Sequence, residues 1–148
     1  MTVAIAIRDL EKTFPCCKAL DKISLRIDTG EMVALIGASG SGKSTLLRHV
    51  AGFLAADAGE IEVMGHHIQS NGRIAKNIRR LRAEIGFVFQ QFNLVGRLSL
   101  LTNVLTGLLY RTSLWRGLTM RFTLGERQQA LEALAAVGIE QFAWQRAA

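Results

Sequence analysis

Met32-Val33-Ala34-Leu35-Ile36-Gly37-Ala38-Ser39-Gly40-Ser41-Gly42-Lys43-Ser44-Thr45 is the stretch that decides the fold. Its first five residues form a continuous apolar run, the pattern of a strand buried on both faces. Residues 37–44 then match G-x-x-x-x-G-K-[ST] at every position. Glycines at 37, 40 and 42 let the backbone curl so that successive N–H groups face an anion. Leu46, Leu47 and Val50 follow at helical spacing. A helix starting near Lys43 therefore aims the positive end of its dipole at the same anion. In this motif the Lys43 ammonium reaches the β- and γ-phosphates, and the Ser44 hydroxyl ligates Mg²⁺. A glycine-rich turn with a chance Lys-Ser explains neither the full match nor the strand before and helix after. The stretch implies a nucleotide, held by Gly37, Ser39, Gly40, Ser41, Gly42, Lys43, Ser44 and Thr45.

Outward from the loop, Val3, Ile5 and Ile7 alternate, then Ile23, Leu25 and Ile27, with Thr29-Gly30 as a turn. That is the period of half-buried strands and predicts an antiparallel hairpin or meander. Ile61 and Val63 predict a further short strand, and residues 73–83 a basic helix closed on neither side by proline. Ile85 to Phe89 reads as a second buried strand. Residues 100–110 carry leucines at helical spacing, and an arginine-rich link follows around Trp115. Thr123 with Glu126 three residues on is a capping box. The helix it opens places Ala130, Leu131, Leu134 and Val137 on one face, with Gly138 as its C-cap. Neither a repeat nor a low-complexity linker interrupts the 148 residues, so one α/β domain is expected.

Composition excludes several classes. With 49% hydrophobic and 20% charged residues and a single proline, the chain is not a disordered tail or a fibre. Mean hydropathy of +0.23 calls for large buried faces or a membrane segment. Residues 98–110 are too short and too often interrupted by polar residues to span a bilayer. The N-terminus has no basic region before its apolar stretch, so it is not a secretory signal, and a cytoplasmic protein is expected. Adjacent Cys16 and Cys17 read as free thiols, and His66-His67 after Gly65 as a turn in preference to a metal site. The net charge of +6 is densest at Arg73, Lys76, Arg79, Arg80 and Arg82. No aromatic residue interleaves there, so a base-stacking platform is not indicated and no nucleic-acid partner is expected. A solvated face is the ordinary reading of such a run.

About 30 residues with two strand patterns precede the loop, and no Asn-Lys-x-Asp base-reading element occurs. The layout resembles the ATP-binding subunits of ABC transporters, in which an antiparallel β subdomain packs beside a P-loop core. The resemblance runs over essentially the whole chain and implies an α/β P-loop NTPase core of ABC ATPase type. Residues 1–30 correspond to the antiparallel β subdomain, 31–91 to the P-loop core and 92–148 to the start of the helical subdomain. Phe14 lies where that family stacks an aromatic on adenine, although an ordinary core aromatic is the alternative. Gln90, after Ile85-Gly86-Phe87-Val88-Phe89, matches the family's Q-loop glutamine, which reaches Mg²⁺ and the attacking water. The stretch Phe92-Asn93-Leu94 through Val104 begins the part that docks on the transmembrane permease. One face of residues 98–110 then meets partner protein or only its own core.

Within the family, GRIAKNIRRLRAEIGFVFQQFNLVGRLSLLTNVLTG and GERQQALEALAAVGIEQFAWQRA are similar to the ATP-binding subunits of phosphonate importers. That likeness implies ATP hydrolysis with Mg²⁺ and pairing with a second ATP-binding subunit. It also implies a permease and, indirectly, a periplasmic or extracellular phosphonate-binding protein. The location implied is peripheral, on the cytoplasmic face of the cell membrane. The family's pattern continues past the position of Arg146 into a Leu-Ser-Gly-Gly-Gln signature, a Walker B strand and a switch histidine. None of these occurs in the 148 residues, so the fold is expected to be incomplete. The chain by itself is then expected to be catalytically inactive, unstable or self-associating. A non-catalytic nucleotide-binding fragment or inert remnant is the alternative function.

Overall fold

The computed structural model describes residues 2–91 and 93–147, and the chain divides into two compact units, residues 1–87 and 88–148. In the first unit β1 (Val3–Phe14) and β2 (Cys17–Asp28) form the expected hairpin around Pro15-Cys16. β3 (Ala58–Val63), β4 (His66–Ser70) and β5 (Arg73–Ile74) extend it into an antiparallel sheet of order β2-β1-β3-β4-β5. The Met64-Gly65 turn joins β3 to β4, so His66 and His67 begin a strand directly after a turn.

Strict alternation would send Leu10 to the opposite face from Ile7, yet both are buried in one core. A bulge between Ile7 and Leu10 resets the parity. Asp9 adopts a positive φ of 44° there, and its N–H donates to Ser24 Oγ at 2.9 Å. Across the bulge on β3 sits Gly59, φ 88°, where a Cβ would lie 2.4 Å from the Asp9 carbonyl oxygen. The core so formed holds Ile7, Leu10, Leu20, Ile61 and Ile68 against Leu46 of α1 (Lys43–Val50) and Ile78 and Leu81 of α2 (Ile78–Arg82). Each fully buried side chain of this size contributes about 1.5–3 kcal/mol.

Three expectations are corrected in this unit and at its border. The run predicted as one basic helix over 73–83 is a strand at Arg73–Ile74 followed by a helix of five residues. Ser70 pairs with Arg73 and Gln69 with Ile74, so the tight Asn71-Gly72 turn captures the start of the run into the sheet. Residues 32–36 and 85–89 are not strands: neither has regular secondary structure. A strand is held by the backbone groups of its neighbours and not by its own apolar content. Among the described residues no strand pairs with either segment. Met32 and Ile36 are consequently 100% and 94% exposed.

The second unit is helical. α3 (Leu100–Thr106) is capped by Ser99, whose Oγ accepts from the Thr102 N–H at 3.1 Å. It stops short of residue 110, and a single 3₁₀ turn, Leu109–Arg111, follows. The arginine-rich link around Trp115 contains a helix, α4 (Leu114–Leu118). α5 (Leu124–Ala136) opens on the Thr123–Glu126 capping box and ends on Gly138, φ 72°. Leu101 and Leu105 of α3 pack against Ala130 and Leu134 of α5 and against Ala143. Val137, expected on that face, is the exposed C-cap, because the helix unwinds before the face is completed. Phe92 lies outside the described residues. No helix of the described residues is long and apolar enough to cross a membrane.

Candidate nucleotide site

The loop between residues 37 and 42 is closed by its own lysine. Lys43 Nζ lies 2.7 Å from the carbonyl oxygens of Gly37 and Ala38 and 3.1 Å from Ser41 Oγ. An ammonium has three donors, and all three are used within the loop. Gly42, φ 87°, is the N-cap of α1, and its carbonyl oxygen accepts the Leu46 N–H at 2.8 Å. A Cβ at Gly42 would lie 2.4 Å from the carbonyl oxygen of Ala19 on β2. The loop can therefore enter the helix only by pressing its backbone onto the hairpin. Ala19 is two residues along β2 from Cys17, the partner of Phe14, so the hairpin end adjoins the start of α1.

No side chain caps the first turn of α1 and no acidic residue lies in it. Those N–H groups have no intrahelical acceptor, and the helix dipole adds its positive end. Gly37, Ser39, Gly40 and Ser41 are exposed, as is Ser44, while Gly42, Lys43 and Thr45 are partly covered. This is a donor set that fits a phosphate chain, with an exposed hydroxyl at Ser44 that suits a hard cation. Among the described residues no group of three or more His, Cys, Asp or Glu side chains could hold a metal ion. A groove of about 580 Å³ along β4 and β5, lined by His67, Asn71, Arg73 and Lys76, shares no residue with the loop.

Phe14 ends β1 and is half-buried, with Lys12 Nζ 5.7 Å from its ring centroid. Lys12 is held in turn by Asp57 at 2.7 Å, and the second Asp57 oxygen accepts the Thr13 N–H at 2.7 Å. The Lys12 ammonium, with the Thr13 N–H, holds the Asp57 carboxyl below its ordinary range. Gln90 is exposed and belongs to the second unit. Cys16 and Cys17 are exposed free thiols with their sulfurs 3.7 Å apart. A shared hydrogen bond with Cys16 raises the Cys17 pKa.

Sequence reading missed the buried polar bridge behind the loop helix. Gln69 Oε1 accepts the Ala56 N–H at 2.8 Å, and its Nε2 donates to the His49 carbonyl oxygen at 3.0 Å. His49 Nδ1 lies 2.7 Å from the Thr45 carbonyl oxygen and so is the protonated nitrogen. Its Nε2 is buried and has no hydrogen-bond partner among the described residues. The C-terminal end of α1 is thereby tied to β4. The only sequence signal was one glutamine beside Ile68 in a strand of polar residues.

A profile of the ABC transporter family matches residues 20–148. The chain belongs to the ABC transporter family. Solved ABC cassettes carry the same fold. The dimeric MJ0796 cassette superposes with a TM-score of 0.80 at 32% identity, over 96% of this chain and 61% of that one. A dimeric post-hydrolysis state of MJ0796 bound to ADP and Pi gives 0.78 at 31% identity, over 97% and 61%. Among curated proteins, "Phosphonates import ATP-binding protein PhnC 2" of Cupriavidus necator is 61% identical over 99% of this chain and 53% of its own length. "Phosphonates import ATP-binding protein PhnC 1" of Pseudomonas aeruginosa is 55% identical over 99% and 54%. The chain thus spans about half the length of the curated relatives it matches.

Proposed function

We propose that the chain provides the phosphate-cradling part of an energy-coupling ATPase subunit of an ABC importer, with phosphonates as cargo. The observation that carries the nucleotide reading is the Lys43 clamp on the loop, at the start of a helix with no cap and no acid in its first turn. Lys43 would turn from the Gly37 and Ala38 carbonyls to the β- and γ-phosphates, and the Ser44 hydroxyl would hold Mg²⁺. Gln90 is the expected second contact to the ion and the attacking water, and Phe14 the adenine contact. Mg²⁺, when bound, neutralises charge that develops between the β- and γ-phosphates. The phosphonate assignment rests on the relatives' names and on 53–61% identity. A permease, a second copy of the subunit and a separate phosphonate-binding protein are the partners this reading supplies, at the cytoplasmic face of the membrane.

The 148 residues by themselves are proposed to bind nucleotide without turning it over. What supports this is the absence of any carboxylate from residues 32–58 other than Asp57, which is committed to Lys12 and Thr13. A general base needs a free carboxylate within reach of the attacking water. The test is titration of the purified chain with a fluorescent ATP analogue in Mg²⁺, alongside Lys43→Ala and an assay of phosphate release. Saturable binding weakened by Lys43→Ala, with no turnover, is expected. Binding indifferent to Lys43 overturns the site, and turnover that Lys43→Ala abolishes overturns the non-catalytic reading. For the cargo, cells lacking this gene are expected to lose uptake of radiolabelled alkylphosphonate, and unchanged uptake overturns that assignment.

A further inference from the structure

Helix α4 is inside out. Leu114, Trp115 and Leu118 lie on one side of it and are 91%, 79% and 80% exposed. Its inward side is Arg116 and Gly117. Arg116 donates to Glu126 at 2.6 Å and to the Arg121 carbonyl oxygen at 3.3 Å, and Gly117 faces Leu109 and Thr112. A surface helix ordinarily turns its apolar stripe to the core and its charges to water. Here the charge anchors the helix and the apolar stripe faces solvent, continued by Leu124, also exposed, at the start of α5. Leu114, Leu118 and Trp115 thus form an exposed apolar stripe with an indole along one edge.

The surroundings are basic in one sense only. Residues 85–125 contain no Asp or Glu, and they contain Arg97, Arg111, Arg116 and Arg121. Glu126, the next acid, is already neutralised by Arg116. Arg111 and Arg121 are exposed and flank the patch in sequence on both sides. Arg111 lies over the Tyr110 ring at 5.1 Å, and among the described residues neither it nor Arg121 pairs with a carboxylate. Exposed leucines and a tryptophan between two such arginines fit an interface that is apolar below and anionic above, which describes the headgroup boundary of a bilayer carrying acidic lipid. A protein groove would have to supply both an apolar slot and several carboxylates.

We infer that the α4 segment, residues 111–124, seats directly on an anionic membrane surface, with Leu114, Trp115 and Leu118 inserted at the headgroup level and Arg111 and Arg121 on lipid phosphates. The contact is to lipid itself, is separate from any docking on a permease, and does not depend on the nucleotide site.

The test uses the 148-residue chain carrying Trp144→Phe, so that Trp115 is the single indole. Vesicles of phosphatidylcholine with phosphatidylglycerol are compared with phosphatidylcholine alone. A blue shift of Trp115 emission with the anionic vesicles, quenched by brominated acyl chains and reversed by salt, is expected. Arg111→Gln and Arg121→Gln should each weaken binding about fivefold. Leu114→Ser with Leu118→Ser should abolish it, and because both residues are exposed the helix content by circular dichroism should not change. A control pair, Met32→Ser with Ile36→Ser, removes equally exposed apolar residues elsewhere and should leave binding intact. An unshifted Trp115 overturns the inference. So does equal binding to neutral vesicles, loss of binding in the Met32/Ile36 control, or a shift produced only by a detergent-solubilised permease.

Discussion

Lys43 Nζ sits 2.7 Å from the carbonyl oxygen of Gly37, the residue that opens the loop its own helix closes. With Ala38 and Ser41 the ammonium is fully satisfied before any ligand arrives. Phosphate oxygens must therefore outcompete two carbonyls and a hydroxyl, which a di- or triphosphate does through charge and AMP does poorly. The expected order of affinity for the chain is ATP and ADP well above AMP. Hydrogen bonds to charged groups contribute about 1.5–3 kcal/mol, so Lys43→Ala should weaken ATP binding about 10- to 100-fold and shrink the preference over AMP. Equilibrium dialysis with the three nucleotides measures both effects, and an unaltered ATP/AMP ratio in Lys43→Ala would contradict the geometry.

Gly42 and Gly40 separate space from backbone conformation. Both have positive φ, 87° and 83°, but a Cβ at Gly40 meets nothing within 4 Å, whereas one at Gly42 lies 2.4 Å from the Ala19 carbonyl oxygen. Gly40→Ala should cost only the left-handed penalty, about 1–2 kcal/mol. Gly42→Ala adds a collision with rigid backbone and should cost more, with the helix start displaced from the hairpin. Urea denaturation midpoints of the two variants rank them, and equal midpoints would show that β2 yields at Ala19.

The Gln69 bridge predicts a larger loss from a change that conserves volume. Gln69→Leu leaves the Ala56 N–H buried without its acceptor, while the His49 carbonyl oxygen keeps the Gly52 N–H at 2.9 Å. Unsatisfied buried groups cost about 1–3 kcal/mol each. The substitution should therefore destabilise the first unit by roughly 1–3 kcal/mol, and Gln69→Glu should not rescue it, since a buried carboxylate would face the His49 carbonyl oxygen with no proton to donate to it. Hydrogen exchange of the α1 amides reads the loss locally. Protection unchanged in Gln69→Leu would mean that α1 is held by apolar packing alone.

What could be read from the sequence was whatever is set by local pattern. The loop, α1, the Thr123–Glu126 box and the left-handed glycine, Gly138, just past the end of α5 each depend on residues within a few positions of one another. The bulge at Asp9 was invisible because its cause, Ser24, is fifteen residues away. Residues 32–36 and 85–89 carry the composition of buried strands, but pairing is a property of neighbours, and the described residues supply none. The helix predicted over 73–83 failed at its start because Asn71-Gly72 offered a hairpin turn that the helical spacing of the arginines had masked. Sequence spacing likewise gave no hint that α4 would face its leucines outward, since an amphipathic pattern does not say which side is covered.

The capping box at α5 gives a pH dependence of definite sign. Glu126 accepts from the Thr123 N–H at 2.6 Å and pairs with Arg116, and the Thr123 hydrogen bonds, with Arg116, hold its carboxyl below the ordinary value of 4.5. A carboxylate whose folded pKa is depressed adds stability that is complete above the unfolded pKa and is lost as pH falls through the folded one. Helix content of the second unit should therefore be level above about pH 4.5 and decline below it. Thr123→Ala, which removes the hydroxyl that accepts the Glu126 N–H but keeps the backbone N–H that Glu126 accepts, should cost about 1 kcal/mol at neutral pH and keep the acid decline, whereas Glu126→Gln should flatten it. A circular dichroism titration compares the variants, and an acid limb in Glu126→Gln identical to that of the unmodified chain would assign the decline to other carboxyls.

Residues 32–36 predict how the chain behaves at rising concentration. The outer strand β2 is guarded along its length by Lys18, Asp21, Lys22, Arg26 and Asp28, which deter pairing with another chain. Met32-Val33-Ala34-Leu35-Ile36 has no charge, lacks a pairing partner among the described residues and is exposed throughout. A segment of that kind pairs with a copy of itself when nothing else satisfies its backbone and apolar side chains. The chain is expected to self-associate with increasing concentration, and Met32→Lys with Ile36→Lys to suppress this. Both side chains are almost fully exposed, so the double variant should keep the unfolding midpoint of the sheet while changing the association. Sedimentation velocity across a concentration series resolves the outcome. A monodisperse monomer with a sharp, concentration-independent thermal transition in the unmodified chain would mean that residues 32–36 find cover within one molecule.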